Sequence, residues 1–176
     1  RHENGFNWDK KRVLTWFKKL MQTDAIKVAH NAIYDVGWLY AEGISVKGPI
    51  VDTMLMAPIL NENKFSYALG AVGKDMLNSY KDETLLKQAS NEFGIDPKNE
   101  MYKLPAIFVG GYAEQDADLT LRLYQHMRPI MEKESLLSVY KLEMDLIPII
   151  FEMTKKGVRV DVEKARRYKK SFKNTE

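Results

Sequence analysis

The sequence predicts an α/β domain in which helices predominate. Two short β-branched stretches near its start alternate with helical patterns, and almost all that follows repeats at helical spacing. With 176 residues, 45% hydrophobic and 29% charged, the chain fits one domain with a real core and has the make-up of a soluble globular protein.

Val13, Leu14, Phe17, Leu20 and Met21 fall at helical spacing among lysines, which predicts an amphipathic helix covering a core. Residues 26–30 read as a short, largely buried strand. A helix over about 32–42 follows, stopped by Gly43. Gly48 and Pro49 turn the chain into a second strand, Ile50-Val51, and Asp52 caps a helix toward Leu60. Helices are expected over 67–77 and 83–93, the second ended by Gly94 and Pro97. The stretch 105–111 reads as an irregular connection, and a long helix as running over about 112–132. Another over 135–156 is expected to kink at Pro148 and end at Gly157. Val158-Arg159-Val160 reads as a strand and Asp161 as the cap of a last, basic helix. The methionines are expected largely on packed helix faces, and Trp8, Trp16 and Trp38 read as core or domain-contact residues.

Composition excludes several functions. No apolar run approaches the roughly 18 residues that span a bilayer, so no membrane partner is expected. Residues 1–12 carry charge without an apolar stretch behind it and do not read as a signal peptide. The absence of cysteine removes disulfides, thiolate metal sites and cysteine nucleophiles, and is compatible with a cytoplasmic setting. A net charge of +3 leans toward an anionic partner. Lys155, Lys156, Arg159, Lys164, Arg166, Arg167, Lys169, Lys170 and Lys173 crowd the last quarter, as either a solvated helix face or a phosphate-tracking surface.

Two acidic constellations carry chemistry. His30-Asn31-Ala32-Ile33-Tyr34-Asp35 stands where a strand gives way to a helix, and Gly110-Gly111-Tyr112-Ala113-Glu114-Gln115-Asp116 where the long helix begins. In each, a polar group lies four residues before an aspartate, which on a helix puts both on one face. Alone, either aspartate is explained by the helix macrodipole, and His30 beside a strand by a hydrogen-bonded core histidine.

Taken together and in this order, the two constellations resemble the second and third motifs of the DEDD exonuclease superfamily. The tyrosine of the third motif marks the subgroup of family A DNA polymerase proofreading domains and ribonuclease D-like enzymes. The segment 51–60 looks like the one that follows the second motif, and 143–161 is similar to the junction joining exonuclease and polymerase domains. The resemblance implies a ribonuclease H-like exonuclease fold, helix-rich and lacking its first strands here. Residues 1–134 would be the exonuclease-like domain, and 135–176 a helical junction toward a polymerase domain of the same polypeptide. It implies metal-dependent 3′–5′ excision from single-stranded DNA ends. Asp35 and Asp116 would be catalytic ligands of Mg²⁺ or Mn²⁺, and Tyr112 would orient the attacking water. Asn31, Tyr34 and His30 would lie along the path of the frayed 3′ end.

The family's first motif, Asp-x-Glu on an upstream strand, has no counterpart. Before Asn31 stand only Glu3, Asp9 and Asp24. Asp161-Val162-Glu163 follows the third motif and reads as a helix cap with a first-turn acid. Asp116 and Asp118, two apart on a helix, do not face together. A fragment starting after those strands, and poorly active alone, is one expectation. A non-cutting domain that binds single-stranded nucleic acid or braces a polymerase is another. A ribonuclease D-like RNA exonuclease is the third, against which the 157–161 junction counts.

Overall fold

The computed structural model describes residues 7–97 and 99–173, so Glu3 lies outside the described residues. In chain order the elements are α1 (Lys10–Met21), β1 (Lys27–Ala29), α2 (Ala32–Ala41), β2 (Ile50–Asp52), α3 (Thr53–Leu60), α4 (Leu69–Leu77), α5 (Thr84–Phe93), a 3₁₀ turn (Met101–Lys103), α6 (Ala106–Lys133), α7 (Leu137–Lys156) and α8 (Val162–Lys173). The α/β class with helices predominating is what the sequence predicted. No helix among the described residues is long and apolar enough to cross a membrane.

β1 and β2 pair in parallel, Lys27 opposite Ile50, Val28 opposite Val51 and Ala29 opposite Asp52, with α2 as the crossover between them. Gly48 enters β2 at φ +75°, where a side chain would also press against the Asp24 carbonyl, so only glycine fits this turn. The core lies where α6 packs on α3, α4 and β1. Leu119, Leu123, Met127 and Met131, four apart along α6, meet Val51, Met56, Ala57 and Val72. Gly73 lets α4 approach α6 closely, since a Cβ there would stand 2.7 Å from Leu119 Cδ2. A second cluster of Leu86, Ala89 and Leu104 receives Phe108, Val109 and Tyr112 from the first turns of α6.

Several expectations need correcting. The stretch 106–111 is helix rather than an irregular connection, so Gly110 and Gly111 lie inside α6. Each glycine costs a helix about 1 kcal/mol, but packing of Phe108, Val109 and Tyr112 on the second cluster outweighs that. β1 is only half-buried, because in a two-stranded sheet each strand is an edge. Val158-Arg159-Val160 forms no strand, as β1 and β2 pair only with each other. α1 buries no residue outright, although Phe17 and Met21 wall a cavity. Trp8, Trp16 and Trp38 are exposed rather than core, and Met153 is exposed while Met56, Met127 and Met131 are buried. α4 starts at Leu69 instead of residue 67, and α7 starts at Leu137 instead of residue 135. The cap expected at Asp161 is present, its Oδ1 accepting from Lys164 N–H at 2.9 Å.

Candidate active site

Asp52 organises the first half of the site. Only 2% exposed, its carboxylate accepts backbone N–H bonds from Asn31 (3.0 Å), Ala32 (2.7 Å) and Met54 (2.8 Å). One side chain thus caps α3 and also gathers the amides where β1 passes into α2. The sequence showed the first of these roles and not the second. Behind it, the Asp52 N–H donates to the Tyr140 hydroxyl of α7 at 2.8 Å, and that hydroxyl donates to the Asp52 carbonyl at 3.3 Å. Burial pushes the Tyr140 phenol up to about 12, so it stays a neutral donor.

On this support the chain turns through Asn31 in the left-handed conformation, φ 75°, which asparagine tolerates better than most residues. The Asn31 side chain makes no capping bond. Asp35 follows in the first turn of α2, open to solvent at one side. Burial, and then the nearby Asp52 charge, raise its carboxyl above the ordinary value. Tyr34 is 61% exposed and meets Trp38 edge to face at 6.2 Å.

His30 spends both ring nitrogens inside the protein. Nε2 lies 2.8 Å from the Tyr67 carbonyl, which can only accept, so Nε2 carries the proton. Nδ1 lies 2.9 Å from Thr53 Oγ1. Burial lowers the imidazole below its ordinary value, against the pull of the Tyr67 carbonyl and Asp52.

The second half sits on α6. Tyr112 packs its ring on the second apolar cluster, and Asp116 follows one turn later. Between them reaches Lys81, from the link joining α4 to α5. Its ammonium donates to the Tyr112 hydroxyl at 3.2 Å, lies 4.6 Å over the Tyr112 ring, and stands 2.6 Å from Asp116 Oδ1. That last contact is an ion pair approached off the hydrogen-bonding direction, so buried Oδ1 lacks an aligned donor. Burial alone would lower the Lys81 ammonium, but Asp116 and then Tyr112 outweigh it and hold it above the ordinary value. Lys81 carried no signal in the sequence, being a lone lysine between two helices.

Asp35 and Asp116 open onto one cavity of about 710 Å³. His30 and Ala29 at the end of β1, Phe17 of α1 and Trp38 of α2 also line it. Thus the two aspartates predicted from motifs far apart in sequence share a wall. Asn31, Tyr34 and Tyr112 flank them in the chain without lining the cavity. Among the described residues no three His, Asp or Glu side chains converge as a metal-binding group. The two carboxylates are nonetheless hard oxygen donors of the kind Mg²⁺ and Mn²⁺ take, and Mg²⁺ is commonly held by one or two carboxylates with water and substrate phosphate completing its shell.

The 3′–5′ exonuclease family matches residues 5–132. A DNA-directed DNA polymerase of Pseudomonas phage M6 is 34% identical over 169 residues, covering 93% of this chain and 25% of that protein. DNA polymerase DpoZ of Acinetobacter phage SH-Ab 15497 is 27% identical across 95% of this chain and 26% of its own length. A DNA polymerase I of Rhizobium leguminosarum is 29% identical across 82% of this chain and 14% of its own length. The chain therefore spans about a quarter of the phage relatives' length. Given the family match and this shared identity, the chain belongs to the 3′–5′ exonuclease domains of family A DNA polymerases.

Proposed function

We propose that this chain is the proofreading part of a DNA polymerase polypeptide and removes nucleotides stepwise from the 3′ end of single-stranded DNA. The observation that carries this reading is the meeting of Asp35 and Asp116 on one cavity, with Tyr112 one helical turn before Asp116. Asp35 and Asp116 would hold Mg²⁺ or Mn²⁺. When bound, such an ion offsets charge on the phosphate and acidifies a water.

The chain's own residues do the positioning. The Tyr112 phenol, anchored by its ring, orients the attacking water. Asn31, whose side chain makes no capping bond, offers its amide to the terminal nucleotide, and exposed Tyr34 offers a face for a base. His30, whose nitrogens are committed, serves the DNA path by fixing the end of β1. On this reading β1 and β2, connected by α2, belong to a ribonuclease H-like sheet whose first strands would carry Asp-x-Glu. Residues 1–134 act as the exonuclease unit and 135–176 as the junction to a polymerase domain.

Excision of 5′-labelled single-stranded DNA by the complete polymerase, beside its Asp35→Ala and Asp116→Ala variants, tests the assignment. Loss of stepwise shortening in both variants, with folding retained, is expected. Normal excision by either variant would overturn the site.

A further inference from the structure

Lys81 is placed with more care than a surface lysine. Its stem crosses α4 at Gly70, where a Cβ would stand 3.3 Å from Lys81 Cδ, so the glycine leaves room for the lysine. The next residue is fastened too, as Asp82 N–H donates to Gln115 Oε1 at 2.9 Å. Two consecutive residues of the link are therefore tied to two consecutive residues of α6, Asp116 and Gln115. Of the ion pairs among the described residues, Lys81–Asp116 is the most shielded, with side chains 15% and 28% exposed. Exposed pairs such as Lys141–Asp145 are screened by water and contribute little.

We infer that Lys81 is a positioning residue of the nuclease site, a built-in cation that holds the Asp116 carboxylate and the Tyr112 phenol together and competes with a divalent ion for Asp116. The inference rests on the nuclease reading. An oxygen already facing an ammonium at 2.6 Å cannot give its charge undivided to a metal, so the two cations are linked with opposite sign. By the same contact the ammonium keeps the phenol and the carboxylate one turn apart on α6 from parting when no metal is present. Without Lys81 the site should take a metal more readily, while the phenol loses its anchor.

The test uses the whole 176-residue chain and Mn²⁺, with affinity read by electron paramagnetic resonance and folding checked by circular dichroism. Lys81→Met, which keeps the stem, should tighten Mn²⁺ binding about 5- to 10-fold. Lys81→Arg, which keeps the charge, should bind as the unaltered chain does. In an Asp116→Asn background the effect of Lys81→Met should vanish. Equal Mn²⁺ affinity for the unaltered chain and Lys81→Met, with Asp116→Asn weaker than both, would overturn the inference and leave the nuclease site standing. Mn²⁺ binding that ignores Asp116→Asn, or no binding in any variant, would overturn both.

Discussion

Asp52→Ala removes a carboxylate that three backbone amides share, those of Asn31, Ala32 and Met54. Hydrogen bonds to a charged group contribute about 1.5–3 kcal/mol each. Their simple sum overstates the loss, because the Asn31 and Met54 bonds are only part-buried and water can replace the carboxylate there. The Ala32 bond is buried, and its orphaned N–H bears the full desolvation cost of about 1–3 kcal/mol. A net loss of about 3–4 kcal/mol follows for Asp52→Ala, a large share of the roughly 5–15 kcal/mol that holds a domain folded. Asp52→Asn keeps one accepting oxygen and turns an NH₂ toward an amide that needs an acceptor, so about 2 kcal/mol should be lost. Urea unfolding followed by circular dichroism reads both, with an unchanged slope against denaturant. The order of stability should be wild type, then Asn, then Ala. An Asn variant within about 0.5 kcal/mol of wild type would refute the claim that Asp52 holds the entry to α2 by accepting with both oxygens.

Other consequences can be checked alongside. Asn31→Gly should keep stability within about 0.5 kcal/mol, because glycine adopts the left-handed turn freely, yet weaken oligonucleotide binding in fluorescence anisotropy. Unchanged binding would remove the Asn31 amide from the DNA path. Asn31→Ala should cost about 1–2 kcal/mol through the backbone alone. Since burial lowers the His30 imidazole, the unfolded chain takes up its proton first as pH falls below 6.5, and stability should decline from there through the lowered folded value. His30→Gln should lessen that decline in the urea midpoint, and an identical pH dependence would contradict it. Gly73→Val should cost about 1–3 kcal/mol by driving a branched side chain into Leu119, readable in the thermal midpoint. No change there would mean that α4 and α6 can part without penalty.

What was legible in the sequence is what depends on near neighbours. Gly43, Gly94 and Gly157 all take positive φ where they end helices, and Asp52 and Asp161 each accept from an amide just ahead. The two constellations were legible because their residues, in order, resemble two known motifs, while helical spacing alone left each aspartate an ordinary first-turn acid. Errors arose where distant packing overrode local preference. Gly110 and Gly111 looked like a break until Phe108 and Val109 found the cluster under α5. Val158 and Val160 have strand-forming side chains but no strand to join. A hydrophobic stripe on α1 indicated which side turns inward without indicating how completely it is covered, so Trp16 proved exposed. Lys81 and Asp116 are brought together by the fold, and no spacing rule reaches across the helix between them.

Tyr140 has a consequence for how the molecule can be handled. Its hydroxyl ties α7 to the end of β2 on both sides of one residue, and that residue's carboxylate steadies the turn that leads to Asp35. A tilt of α7 would therefore reach Asp35 as a shift in its footing, after passing through only two side chains. The helix expected to serve as a tether is also a tie-rod of the proposed site. Trimming the chain back to residue 134 would thus remove a brace from the very centre it was meant to isolate.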